Sequence, residues 1–531
     1  MRRFIYSACL FSAIIPLETQ AQLSQMDALR YSTTMLGGTA RFTAMGGAFC
    51  AVGADLSTLA YNPAGIAVYN KNQLEITPGL TLQNTSSSYN GTSVSNENSK
   101  VNLQSIGLVG TRKVGKEDGT GWKSYNFGFA YNRLNNFNDN VTISGYNFKN
   151  TFLDNVTAAG QGTNYQNLDP FLIGPAFNTY LLDTVAGTKG SNYFNVIHPF
   201  LGGNTGNYID QLENITTTGS MGEYDFSVGG NYNDKLFIGA TLGIVNTDYT
   251  LTDTYTETTH FNNDTAFGLQ NYSLTEGLTT SGVGYNFKIG FIYRIMDWLR
   301  IGGAVHSPTF FNMTDNFSTS WVANYGPSPY TGTGGSTDPL GAQATYSYNL
   351  TTPLKAIGGI AVIINNQGIL SADYEYVDYS SIRVNSTDPS LAADYTSQVN
   401  SAISQQFIQA SNIKIGAEWV LYPVSFRAGY ALYGNPFNEA SVGFSSPRTT
   451  YSAGVGLKVN NVFFDFSYTR TQYSEQYQIY GGANASTLNT TISNVIFTLG
   501  YTFGEHKNRI PRKERFSPYP PPPPPPPPGA Y

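Results

Sequence analysis

The sequence predicts an all-β fold: a transmembrane antiparallel β-barrel of about fourteen strands closed around a small N-terminal hatch. Three observations predict it. From about residue 71 apolar residues recur at every second position. In the last segment Val495, Phe497, Leu499, Tyr501 and Phe503 alternate with Asn494, Ile496, Thr498, Gly500 and Thr502. Successive strand side chains point to opposite faces, so one face is oily and aromatic while the other is small or polar. Connections between such segments alternate between tight and long, as a barrel with short turns on one rim and long loops on the other requires. Composition agrees. Charged residues are 12% of the chain, about half the usual share of soluble domains, while 38 Tyr and 32 Phe accompany only 4 Trp. So aromatic a chain is not disordered, and a net charge of -6 leaves no basic footprint for nucleic acid.

The elements follow in order. Arg2 and Arg3, an apolar stretch from Phe4 to Leu17, and Thr19-Gln20-Ala21 read as an export signal cleaved after Ala21. The apolar stretch is too short to span a bilayer as a helix, and Cys9 lies inside it, which argues against a lipoprotein anchor. Cys50 is then the single cysteine of the exported chain. It can form no intramolecular disulfide, and no paired spacing for a metal is present; neither metal nor cofactor is expected. Residues 22–70 are rich in Gly and Ala and too short for a core of their own. They are expected to fold as a hatch inside the barrel, which at this strand number has room for one; the plainer alternative is a loosely ordered leader. Asn62-Pro63 within it favours a turn, and Pro63 fixes its own φ and lacks a donor.

In the barrel region, 71–503, strands are expected near 73–83, 100–112, 122–133, 222–232, 235–250, 282–294, 298–312, 345–364, 368–383, 411–420, 424–433, 449–459, 462–472 and 490–503. Asn233-Asp234, Ile295-Met296-Asp297, Asn365-Asn366-Gln367, Tyr422-Pro423 and Asn460-Asn461 are tight turns; 84–99, 134–221, 251–281, 313–344, 384–410, 434–448 and 473–489 are long loops. Tight turns and both chain ends are placed on the periplasmic side, and long loops outside. Lys288, Arg294, Asp373, Glu375, Lys414, Glu418, Arg427 and Asp465 fall opposite the apolar set of their strands. A charge facing lipid near mid-bilayer costs roughly 2–4 kcal/mol, so these groups face the lumen, as ion pairs stiffening the wall or as contacts for a substrate headgroup. The loop 134–221 carries Phe171, Leu172, Ile173, Phe177, Tyr193, Phe194 and Phe200. They either line a capture site for an oily ligand or pack the loop over the mouth. The tail, 504–531, is basic and then an unbroken proline run from Pro520 to Pro528, which favours an extended polyproline helix.

The stretch Gly37-Gly38-Thr39-Ala40-Arg41, then Asp55, then Asn62-Pro63-Ala64 resembles the hatch of the long-chain fatty-acid transporter family of outer membranes, the FadL type, which includes the TodX-like aromatic-hydrocarbon channels. The resemblance covers 22–503 and points to a Bacteroidetes-like member. It implies an integral outer-membrane protein, monomeric, in contact with outer-membrane lipid. Its expected role is passive transport of long-chain fatty acids or other hydrophobic small molecules, with hatch movement and sideways release. On that resemblance Gly38, Arg41, Asp55, Asn62, Pro63 and Ala64 belong to the hatch and its gating. The alternative is a barrel of the same fold that docks proteins in a secretion system. An enzyme is not expected: the four histidines stand near no Gly-x-Ser-x-Gly elbow, and neither a His-Glu-x-x-His motif nor a phosphate loop occurs.

Overall fold

A computed structural model describes residues 24–504 apart from 115–119, 203–205, 262–267, 327–334, 337–339, 366, 388–392 and 439–445. The export signal with its cut after Ala21, and the proline tail, lie outside the described residues. Fourteen antiparallel strands form the wall. They are β1 (Asn72–Tyr89), β2 (Thr92–Lys113), β3 (Trp122–Asn136, resumed as Asp139–Asn147), β4 (Tyr208–Tyr232) and β5 (Leu236–His260). Next come β6 (Leu269–Met296), β7 (Leu299–His306 and Phe310–Tyr325), β8 (Gln343–Thr351 and Lys355–Ile364) and β9 (Gly368–Asp378 and Arg383–Ser386). The last five are β10 (Gln409–Leu421), β11 (Val424–Tyr433), β12 (Arg448–Val459), β13 (Val462–Gln478) and β14 (Ala485–Phe503). Neighbours pair in chain order, and β14 returns to β1 from Asn72↔Phe503 up to Ser88↔Thr487. Closure removes the sheet edge that lipid could not satisfy.

The sequence dictates the local choices. Asn233 and Asp234 sit at φ 55° and 54°, the left-handed pair that matches the twist of a two-residue hairpin and that Asn and Asp tolerate. Phe497 and Leu499 are exposed while Ile496, Thr498 and Thr502 are buried, as the alternation requires. Exposed Trp122, Tyr232, Tyr293, Trp298, Trp419 and Tyr501 ring the rim of tight turns, the position of an aromatic girdle.

Two expectations are corrected. The stretches 84–99 and 251–281 are largely strand, not loop: β1 and β2 run on to a turn at Asn90-Gly91, and β5 extends to His260. β4, β5 and β6 have 25, 25 and 28 residues, far more than the 9–11 or so that cross a bilayer. Beyond the hydrocarbon neither face meets lipid, so the ladder continues through Thr-rich sequence while the oily alternation stops. Second, the described N-terminal end does not lie beside the tight turns. Helix α1 (Gln25–Arg30) sits high in the lumen, where Gln25 Nε2 donates to Gln406 Oε1 at 3.3 Å. Gln406 ends helix α6 (Ala393–Gln406) of the long connection between β9 and β10. Ala28, Leu29 and Tyr31 are apolar enough to bury there against Phe311, Met313, Leu350 and Ile403.

Between β3 and β4 the chain folds into a cap with helices α4 (Phe152–Gly160) and α5 (Ile173–Asn178). Buried Glu257 of β5 ties it down, accepting from Phe152 N (3.0 Å), Gln211 Nε2 (2.9 Å), Tyr255 OH (2.6 Å) and Tyr272 OH (2.8 Å).

Candidate functional site

The site is built where the small-residue segment meets the wall. After α1 the chain descends through α2 (Ala40–Ala44), α3 (Thr58–Tyr61) and a 3-10 turn over Pro63–Val68 into β1. Thr39 caps α2, its Oγ1 accepting from Phe42 N at 3.1 Å. The same hydroxyl donates to Asp55, 2.8 Å from both carboxylate oxygens, and Ser57 N donates to Asp55 Oδ1 at 2.9 Å. Asp55 is thus the knot that folds this segment onto itself. Burial pushes its carboxyl above the ordinary range against the pull of Arg41 and these hydrogen bonds. Gly38 packs at φ 111°, a backbone conformation open to glycine, where an added Cβ would lie 2.3 Å from Ser57 Oγ.

Arg41 reaches out of the segment. Its Nε and Nη2 donate to the two oxygens of Glu418 at 3.0 and 2.6 Å, and Nη1 to Ala54 O at 3.1 Å. Glu418 also accepts from Arg427 Nε at 2.7 Å, and Arg427 Nη1 donates to Asp465 at 2.6 Å. This fork-on-fork chain joins segment to wall across β10, β11 and β13. Asp373 accepts from Cys50 N at 2.8 Å, and burial together with that carboxylate pushes the Cys50 thiol well up. Ala40 N donates to Thr498 Oγ1 at 2.8 Å, and Ser371 Oγ to Ala48 O at 2.7 Å.

Asn62 is fully buried. Its Nδ2 donates to Cys50 O (2.6 Å) and to the wall carbonyl of Phe291 (3.2 Å), while Oδ1 accepts from Ala64 N (3.1 Å). Pro63 opens the 3-10 turn where its missing N–H costs nothing. The wall beneath is glycine: a Cβ on Gly290 would lie 1.9 Å from Asn62 Oδ1, and one on Gly239, its partner in register, 2.2 Å from Pro63 O. The alternation rule does not flag this pair. Two glycines at inward positions of adjacent strands were the available signal.

The lumenal charges stand as follows. Lys288 pairs with Glu223 and, at 3.1 Å, with Asp225; Lys414 pairs with Glu375 at 3.0 Å. Asp373, Glu418, Arg427 and Asp465 hold the contacts given above. Arg294 reaches only Asp297, at 4.0 Å. Of the loop residues, Leu172, Ile173 and partly buried Phe177 pack with Leu153, Leu181 and Trp321 under the cap. Phe171 packs on Phe317 at 5.8 Å between ring centroids. Tyr193 OH donates to Thr163 O and Gly190 O, and Phe200 stacks on Phe261. Phe194 lies in a short ribbon pairing Leu182–Thr184 with Tyr193–Asn195.

Above the segment lies a two-lobed chamber, open to solvent, whose lobes share Thr34–Gly37, Arg133, Leu134, Glu375 and Tyr433. None of the seven loop residues lines either lobe. One lobe reaches a break in the wall. β2 and β3 pair from Lys113↔Ser124 up to Ser105↔Asn132 and stop. Above that, β3 shifts register on β4 between Arg133 and Asn135 and bends inward; Arg133 Nε donates to Leu103 O at 3.2 Å. The strands meet again at the Asn96 side chain, which accepts from Thr142 N at 3.0 Å and donates to Thr142 Oγ1 at 3.1 Å. Leu134 O, the carbonyl freed by the bend, accepts from Met35 N at 2.9 Å.

The family model described as outer membrane protein transport protein (OMPP1/FadL/TodX) matches residues 201–504, more than half of the chain. Among solved structures, the chain is similar to a Pseudomonas aeruginosa FadL homologue at 13% identity and TM-score 0.53, covering 89% of this chain and 99% of that one. It is similar to the P. putida toluene transporter TodX at 12% identity and TM-score 0.51, covering 88% and 99%. At these identities the likeness shows the fold. No curated protein matches the sequence.

Proposed function

Because the chain belongs to the outer membrane protein transport protein (OMPP1/FadL/TodX) family, we propose that it carries hydrophobic small molecules, long-chain fatty acids among them, passively across the outer membrane. Residues 22–70 act as the hatch, and cargo leaves sideways between β2 and β3. One observation carries this reading. The stretch of β3 that has lost its β2 partner is hydrogen-bonded to the hatch, Met35 N to Leu134 O. A shift of the hatch therefore pulls on the edge of the wall opening. Thr81, Gln104, Leu134 and Ile492 line the chamber lobe at that opening, and Val101 beside it is 75% exposed. An oily molecule in the chamber can pass to lipid there without crossing water. Arg41 and Asn62 hold the hatch to the wall through the bonds described above, while Gly38, Asp55, Pro63 and Ala64 shape the segment that carries them.

The test is photo-crosslinking in reconstituted membranes. A benzophenone side chain at Val101 should capture a radiolabelled fatty acid added from the loop side well above the level captured at Leu457, which faces lipid on another strand. Equal capture at the two positions would sink sideways release. Replacement of Pro63 should change uptake of a hydrophobic probe while the barrel still inserts, and unaltered uptake would remove Pro63 from gating.

A further inference from the structure

We propose that Arg294 and Arg300 form an oxyanion site, for a carboxylate or a phosphate, on the inner wall at the periplasmic mouth of the lumen. The two face each other in register on β6 and β7, beside the turn that joins them. Directly opposed strand residues stand with Cβ atoms about 5 Å apart, and like charges so placed repel. Among the described residues no buried carboxylate pairs with either. Arg300 has no carboxylate within 4.0 Å, and its Nη1 donates to the hatch carbonyl of Val52 at 3.3 Å. Arg294 reaches only Asp297, at 4.0 Å, a fully exposed residue of the adjoining turn. The Nε atoms of both arginines are buried and have no hydrogen-bond partner.

The other inner-wall cations that the sequence singled out are matched: Lys288 by Glu223 and Asp225, Lys414 by Glu375, Arg427 by Glu418 and Asp465. Lys355, Arg133 and Arg448 also line the lumen without an ion pair among the described residues; Arg294 and Arg300 differ in that two guanidinium groups oppose each other in register. A guanidinium is a rigid fork that takes two oxygens of one carboxylate or phosphate, and two forks facing across a ladder can share one oxyanion. The Val52 contact sets the hatch against the site, so a bound anion would also touch the element that closes the lumen. This inference rests on the barrel and the seated hatch, and is independent of the transport reading.

Equilibrium dialysis of the full-length protein in detergent tests it, at fixed ionic strength, with radiolabelled inorganic phosphate and separately with dodecanoate. Wild type should bind a saturable equivalent of at least one. R294Q/R300Q should weaken that binding by about tenfold or more, the worth of a charge-assisted fork. R294K/R300K keeps both charges without the forks and should fall between. Phosphate binding that depends on the arginines marks a general oxyanion site. Dodecanoate binding alone, with the same dependence, marks the headgroup of an amphiphile. The single variant R294Q leaves the Val52 bond in place and should melt higher than wild type in phosphate-free chloride, because repulsion is relieved. No saturable binding of either probe, equal binding by wild type and R294Q/R300Q, or a lower melting temperature for R294Q would overturn the proposal.

Discussion

Two side chains, Asp55 and Arg41, fasten the proposed hatch. Asp55 holds Thr39 and Ser57 inside it; Asp55→Ala leaves those donors buried and unpaired, at about 1–3 kcal/mol. Asp55→Asn keeps acceptors and should cost less than half as much, read as protease sensitivity of residues 22–70. Because burial raises the Asp55 carboxyl, the folded hatch holds a proton more readily than the unfolded one does. Its stabilisation is fully present in acid and is lost as pH rises through the folded value. Protease protection should therefore weaken with rising pH in wild type and stay level in Asp55→Asn. Arg41→Ala breaks the Arg41–Glu418 pair while Arg427 still faces Glu418, a loss of about 3 kcal/mol. Cys50 reports on all of this: buried, with its thiol pushed up, it should resist maleimide in wild type and react faster in both alanine variants. Equal labelling rates in the three proteins would contradict the hatch assignment. At this scale the sequence was legible where chemistry is polar and local. Asn62-Pro63 was readable as a turn, and Asp55 and Ala64 only through the family resemblance, whereas Met35 was not readable, because its part is played by a backbone N–H that any residue but proline supplies.

Among the elements, the glycine seat and the broken strand do most to shape the lumen. Gly239→Ala puts a methyl on Pro63 O, and such overpacking costs about 1–3 kcal/mol. It should raise ion leak through the reconstituted barrel without hindering insertion, as single-channel conductance would show. Met35→Pro removes the bond to Leu134 O and should let β3 relax toward β2, seen as slower uptake of an oily probe; faster uptake would mean that the bond holds the opening shut. Fourteen strands and their tight turns were readable because lipid on one face imposes the two-residue rhythm. Strand ends above the bilayer were not, since the ladder there, such as Thr250–Thr258, alternates Thr with Leu, Asp, Tyr and Glu, so neither set is oily. The break at Arg133–Asn136 falls where the sequence ends a strand at 133, because Asn is disfavoured in strands; that β3 resumes over Asp139–Asn147 was not legible.

For the molecule as a whole, wall and hatch are separable in kind. The wall is held by its own closed ladder, so deletion of residues 22–70 should still give a heat-resistant, membrane-inserted barrel. Removal of residues 505–531 should do the same, because β14 ends on aromatic Phe503; a failure to assemble would show that insertion needs the proline tail. The all-β class and the inward phase of the charges follow from composition and alternation alone. That the described chain begins near the outer mouth did not follow, because a six-residue helix buried among far-apart strands leaves no periodic trace. That placement constrains biogenesis. The segment at the leading end runs directly into β1, so it has to be taken into the lumen as the β1–β14 seam forms. A bulky fusion at that end should therefore arrest maturation, whereas the same fusion at the trailing end should be harmless.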